Sequence, residues 1–149
     1  MKISLVYAAL AGIAWGLGGY FEKAGLRALG LPPIAGITVR TAIALVLLAI
    51  ISIPAWRAYT FTPNTAGWIM IVVGGGIVAG TLGMWSFYAS LATAENLGAA
   101  LAIAFALSPL TGTVTGLITR SQPFDWKTGL GLVAIIIGIV LINLGRERP

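Results

Sequence analysis

Glu22 and Arg40 are the two residues whose type and position invite chemistry first. Each is a charge carried into or onto the edge of an apolar run, and the chain has only four acidic residues against nine basic ones. Ionisable groups at membrane depth are costly and concentrate at pathways and binding sites. Glu22 can bind a cation or a proton, and Arg40 a carboxylate or a phosphate. The bland alternative is an ion pair that holds two helices together, or two charges reaching for the interface. Lys23 lies about 100° around the helix from Glu22 and is expected to snorkel.

Around these charges are residues that can shape a cavity. Gly12, Trp15, Gly19 and Glu22 recur at helical spacing, grouping an aromatic plane, two bare backbone patches and an acid on one face. Trp15 and Gly19 are therefore candidate substrate-binding residues; the competing reading for Trp15 is the interfacial aromatic belt. Further on, Thr81, Trp85 and Tyr88 form a second stripe. It adjoins the glycine tract Gly74, Gly75, Gly76, Gly80 and Gly83, so Trp85 and Tyr88 join the candidates. For the glycines, packing is the stronger expectation: Gly76 and Gly80 form a GxxxG pair, which favours close helix crossing.

Five apolar segments must position these residues, over about residues 3–22, 33–53, 67–91, 97–118 and 126–144. Each has roughly the 18–25 residues that span hydrocarbon as a helix. They are too long, and do not alternate, for barrel strands. Pro32-Pro33 suits the first turn of the second helix, and Pro54 is expected to end it. Thr93 with Glu95 resembles a helix start, and Asp125 is a second candidate N-cap. Pro109 sits mid-helix in the fourth segment and is a candidate hinge. In the fifth, Gly131 and Gly138 belong to a small-residue stripe suited to packing or a dimer contact. The start of the chain has signal-peptide features, but its apolar run continues, and an uncleaved first span is expected.

Composition narrows the function classes. The 149 residues are 58% hydrophobic and 9% charged, with mean hydropathy +0.99, against about 25% charge in a soluble domain. The solvent is therefore lipid, and the fold class expected is an all-α polytopic membrane protein with five transmembrane helices in one domain over residues 1–149. Without cysteine or histidine there is no thiol or imidazole chemistry. No cofactor, no metal and no enzymatic activity are expected. The net charge of +5 is spread singly near segment ends, as membrane proteins place Lys and Arg, so no nucleic-acid partner is expected.

An odd number of spans puts the termini on opposite sides. One side then receives Lys2, Arg57, Arg120 and Lys127, and the other Lys23, Arg27, Arg146 and Arg148, with Arg40 just inside the membrane on that second side. The positive-inside rule needs an imbalance, and four cations oppose four. Orientation is either set by other means or dual, with two copies inserted oppositely to pair as an antiparallel homodimer. Such a pair reproduces the inverted repeats of many transporters.

The ordered motifs resemble the drug/metabolite transporter superfamily, and within it a single EamA-type domain. They run Trp15-Gly16, Lys23, Leu26, Pro33, Arg40 with Ala44, then Tyr88-Ala89-x-Leu91. The ALxxxxALSPL run ending at Pro109-Leu110 and the GLxxIxxGI run ending at Gly138-Ile139 complete the set. The usual family chain has ten helices in two inverted halves. The resemblance thus implies a half-size member that dimerises and transports by alternating access, with its site between helices one to four. The Gly-Glu pair often found before the last helix is replaced here by Thr119-Arg-Ser-Gln-Pro123.

The function expected is transport of a small polar or zwitterionic metabolite across the cell's inner (plasma) membrane. The candidate substrate-binding residues are Trp15, Gly19, Glu22, Arg40, Trp85 and Tyr88. Two other readings stay open: a proton-coupled multidrug-type exporter of cationic compounds, and a non-transporting membrane subunit of a larger complex.

Overall fold

Runs of Leu, Ile, Val and Ala without charge satisfy their own backbone hydrogen bonds only as helices when the solvent is lipid. The structure, a computed structural model, describes residues 3–61, 63–121, 123 and 125–145, with Asn143 by its backbone alone. Lys2, Arg146 and Arg148 of the charge count lie outside the described residues. The helices are α1 (Ile3–Leu29), α2 (Pro33–Ala58), α3 (Thr65–Thr93), α4 (Leu97–Ile118) and α5 (Trp126–Leu144). The first four are long and apolar enough to cross a membrane, and α5 adds a shorter apolar stretch. The protein is an all-α polytopic membrane protein. Large apolar side chains such as Leu45, Ile51, Met70 and Leu141 are exposed along the helices, as expected of lipid-facing surfaces.

The ends of the helices have local causes. After α1, Gly30 takes φ 60; Leu31 N–H donates to Leu26 O at 3.1 Å and Gly30 N–H to Arg27 O at 3.4 Å. This is the Schellman closure, in which glycine enters the left-handed region without a Cβ penalty. α1 runs to Leu29, a full turn and more beyond the charged Glu22-Lys23 step where the apolar run stops. α2 then starts with Pro33 at its first position. It continues through Pro54 to Ala58; the expected stop at Pro54 is wrong. A proline so near the C-terminus removes one backbone bond while leaving only a final turn to follow it.

α3 opens with the Asn64 side chain accepting from Gly67 N–H at 2.9 Å. Its first turn, Thr65–Ile69, is α-helical; Met70–Gly83 is a π-helix; Met84–Thr93 is α-helical again. Fourteen consecutive π residues are unusual, since π turns are mostly single. Thr81 Oγ1 donates to Gly76 O, five residues back, at 3.1 Å, and so follows the same wide register. A Cβ at Gly80 would lie 2.9 Å from Gly75 O, an approach that only glycine permits.

The start of α4 differs from expectation. Thr93 belongs to the end of α3, its hydroxyl bonded to Ala89 O at 2.9 Å. The cap is Asn96, whose side chain accepts from Ala99 N–H at 3.2 Å. Pro109 lies inside α4. α4 also ends in a Schellman closure, Ser121 N–H to Gly116 O at 2.9 Å and Arg120 N–H to Leu117 O at 3.1 Å. Here Arg120 holds the left-handed position at φ 55. At α5, Asp125 Oδ1 accepts from Lys127 N–H at 3.2 Å.

The chain divides into two compact units. One is residues 20–93; the other is the start of α1 up to Gly19 together with everything after Thr93. In the first unit, α2 packs against the Met84–Thr93 segment around Leu26, Ile37 and Tyr88, with Leu31, Met84 and Phe87 beside them. In the second, α4 and α5 pack together.

Candidate functional site

The hairpin geometry brings Glu22 and Arg40 together. Glu22 lies seven residues before Leu29, and Arg40 seven residues after Pro33. At 1.5 Å per residue both stand about 10 Å from the loop. Arg40 Nε donates to Glu22 Oε1 at 2.7 Å, with the side chains 38% and 18% exposed. That length marks a charge-assisted bond, and the exposure leaves the pair shielded without sealing it.

The hydroxyl of Tyr88 donates to the same Glu22 carboxylate. Tyr88 is only 2% exposed, and its ring lies edge-on to Phe87 at 6.3 Å. The ring is seated by Gly36, one helical turn from Arg40 on α2. A Cβ at Gly36 would lie 3.1 Å from Tyr88 Cε1 and 2.5 Å from Leu26 Cδ2. Three helices therefore meet through a glycine, an aromatic ring and an ion pair. A guanidinium carries more N–H donors than one contact uses. Arg40 thus has the capacity to take a substrate carboxylate or phosphate while Glu22 presents the opposite charge.

Lys23 is buried, 7% exposed, not snorkelling as expected. The reason is the length of α1: with six further residues before Leu29, Lys23 stands about 9 Å short of the helix end. Trp85, by contrast, is 52% exposed although it lies one turn from Tyr88.

In the second unit, Trp15 stacks on Phe105 of α4, ring centroids 5.6 Å apart and 7° from parallel. Gly19 is buried and Gly12 exposed. Gly76 of the first unit, and Gly131 and Gly138 of the second, each have nothing within 4 Å of where a Cβ would stand, so these faces are open among the described residues. Hydroxyl and glycine residues of α4, among them Ser108, Thr111, Gly112 and Thr115, line a groove of about 650 Å³. Among the described residues no group of His, Cys, Asp and Glu converges as a metal site.

Residues 2–144 match the EamA-like transporter family. The chain belongs to this family. No curated protein and no solved structure matches it. As an EamA-like transporter it is a multi-pass membrane protein, and membership of a transporter family argues against an enzyme. The EamA-like match runs through both units, so the Glu22–Arg40–Tyr88 cluster and the Trp15–Phe105 stack belong to a single family domain.

Gly36 and Phe105 are the contributors that residue spacing does not single out. Gly36 carried a usable signal, standing four residues before Arg40 on the same helix face. Phe105 carried none, because its partner Trp15 is remote in sequence.

Proposed function

We propose that the protein is a half-size transporter of the inner (plasma) membrane that works as an antiparallel homodimer. It moves a small polar or zwitterionic metabolite by alternating access. The observation that carries this reading is the Glu22–Arg40 pair with Tyr88 on the same carboxylate. Two opposite charges side by side, partly open and within a membrane-embedded hairpin, match a substrate that itself bears both signs or is strongly polar. A substrate entering the pair exchanges its own charges for those of the partner residue, so binding does not strand a charge in lipid.

The balance of Lys and Arg between the two sides supports dual insertion, and five spans plus five inverted spans supply the two-fold construction used by many transporters. Reporter fusions at both termini test the dimer: each terminus is expected on both sides of the membrane, and a single fixed orientation refutes the antiparallel pair. Uptake of candidate metabolites into proteoliposomes tests the site, with loss of transport expected in Glu22→Gln and Arg40→Ala. Unchanged transport in both variants reduces the pair to a structural clasp.

A further inference from the structure

Away from the ion pair, the end of α2 and the start of α3 line a second, open cavity of about 490 Å³. Its walls include Trp56, Tyr59 and Trp68, with Asn64 and Gly67 at the helix start. The rings of Trp56 and Tyr59 stand edge to face, at 83° with centroids 6.0 Å apart. Phe61 stacks behind Trp68, 6.3 Å away and 22° from parallel. The Asn64 carbonyl oxygen is already committed to Gly67 N–H. No carboxylate lies among the described lining residues.

We propose that this aromatic corner binds the headgroup of a zwitterionic phospholipid, its ammonium seated among Trp56, Tyr59 and Trp68. Three observations converge. Three aromatic rings line one cavity, and aromatic rings attract alkylammonium groups. The cavity joins the last turn of one membrane helix to the first turn of the next, at the level where headgroups lie and Trp and Tyr collect. Arg57 stands between Trp56 and Tyr59 in sequence, in that last turn, and supplies a cation for the phosphate that accompanies the ammonium. A bare cation gains no carboxylate among the described lining residues; a headgroup with both signs suits the rings together with an Arg57 next to Trp56 in sequence.

The test uses the full-length protein in detergent. Short-chain phosphatidylcholine and phosphatidylethanolamine are titrated against phosphatidylglycerol of the same chain length, and against tetramethylammonium, with melting temperature and tryptophan fluorescence as readouts. The zwitterionic lipids are expected to stabilise saturably. Their apparent affinity is expected to fall about tenfold in Trp56→Leu and Trp68→Leu. It is expected to hold in Trp68→Tyr and in Trp126→Leu, a tryptophan outside the corner. Equal binding of phosphatidylglycerol identifies an acyl-chain groove and overturns the proposal. Equal binding of tetramethylammonium identifies a site for soluble cations and overturns it too, as does an equal loss in Trp126→Leu. If the leucine variants do not fold, loss of affinity in Arg57→Gln for lipids but not for tetramethylammonium decides the case: its absence refutes the assignment.

Discussion

The ring of Tyr88 rests against the backbone of Gly36, so near that a methyl group on Gly36 would stand 3.1 Å from the ring. In lipid, helices gain little from burying apolar surface against one another, and close packing together with interhelical hydrogen bonds holds them. The Gly36–Tyr88 contact therefore carries an unusual share of the attachment between α2 and the end of α3. It also sets the reach of the Tyr88 hydroxyl to Glu22.

Gly36→Ala is expected to destabilise by about 1–3 kcal/mol, the range for overpacking a fitted interface. Leu26 Cδ2, the nearest atom, is a flexible chain end, so Gly36→Ala combined with Leu26→Ala is expected to cost less than the two single losses added. Melting curves followed by tryptophan fluorescence measure this; simple additivity counts against the contact.

Tyr88→Phe keeps the ring and deletes the hydroxyl. Its expected cost is about 0.5–1.5 kcal/mol, against about 3–5 kcal/mol for Tyr88→Ala, which empties a packed aromatic position. Transport is expected to fall in Tyr88→Phe by more than its stability loss accounts for, because the Glu22 carboxylate loses a donor. Kinetics in liposomes at matched protein content provide the comparison.

For the ion pair, Glu22→Gln and Arg40→Gln are each expected to cost more than half of what the double variant costs. Either single change leaves a lone charge at membrane depth. With Arg40 38% exposed, the coupling is expected to be about 1 kcal/mol rather than the larger figure for a sealed pair. A double-mutant cycle on unfolding in detergent reads it directly.

Replacing Arg120 by glycine is expected to stabilise the protein by about 0.5–1 kcal/mol. Arg120 is the one described non-glycine residue at positive φ, a conformation glycine adopts without strain. Arg120→Ala keeps the Cβ, removes the charge from the helix C-terminus, and is expected to gain nothing. Thermal shifts of the two variants in opposite or equal directions separate backbone strain from charge.

Trp15 and Phe105 are expected to show a coupling of about 0.5–1.5 kcal/mol in a cycle of Trp15→Ala and Phe105→Ala. A coupling near zero would show that the stacked geometry contributes only through the area each ring covers.

Much of the architecture was legible because lipid leaves so few options. Length and apolarity specified helices, and Pro33 and Asp125 stand where helix starts were expected. Local chemistry misled where competing signals were close together. Thr93 and Asn96 are both good caps, and Asn96 is the one whose side chain meets the helix. Pro54 looked like a stop because proline breaks helix interiors, yet so near the C-terminus it breaks little. The Glu22–Arg40 ion pair is the reading that the sequence offered as the alternative to a binding site, and hairpin register accounts for it, since both lie at one depth. Lys23 is buried rather than snorkelling because α1 continues well past the charged step, to the closure at Gly30. Trp85 and Tyr88 share a stripe at helical spacing but differ widely in exposure, since spacing alone does not say which neighbour arrives.

The π-helical tract of α3 has a consequence for how this span tolerates change in length. In an α-helix, deleting one residue turns everything beyond it by about 100°, which would swing Tyr88 off Gly36. A π turn already accommodates an extra residue between aligned flanks. The Met70–Gly83 tract is thus a reserve of slack: a residue lost there is absorbed by tightening a turn, and Tyr88 keeps its heading.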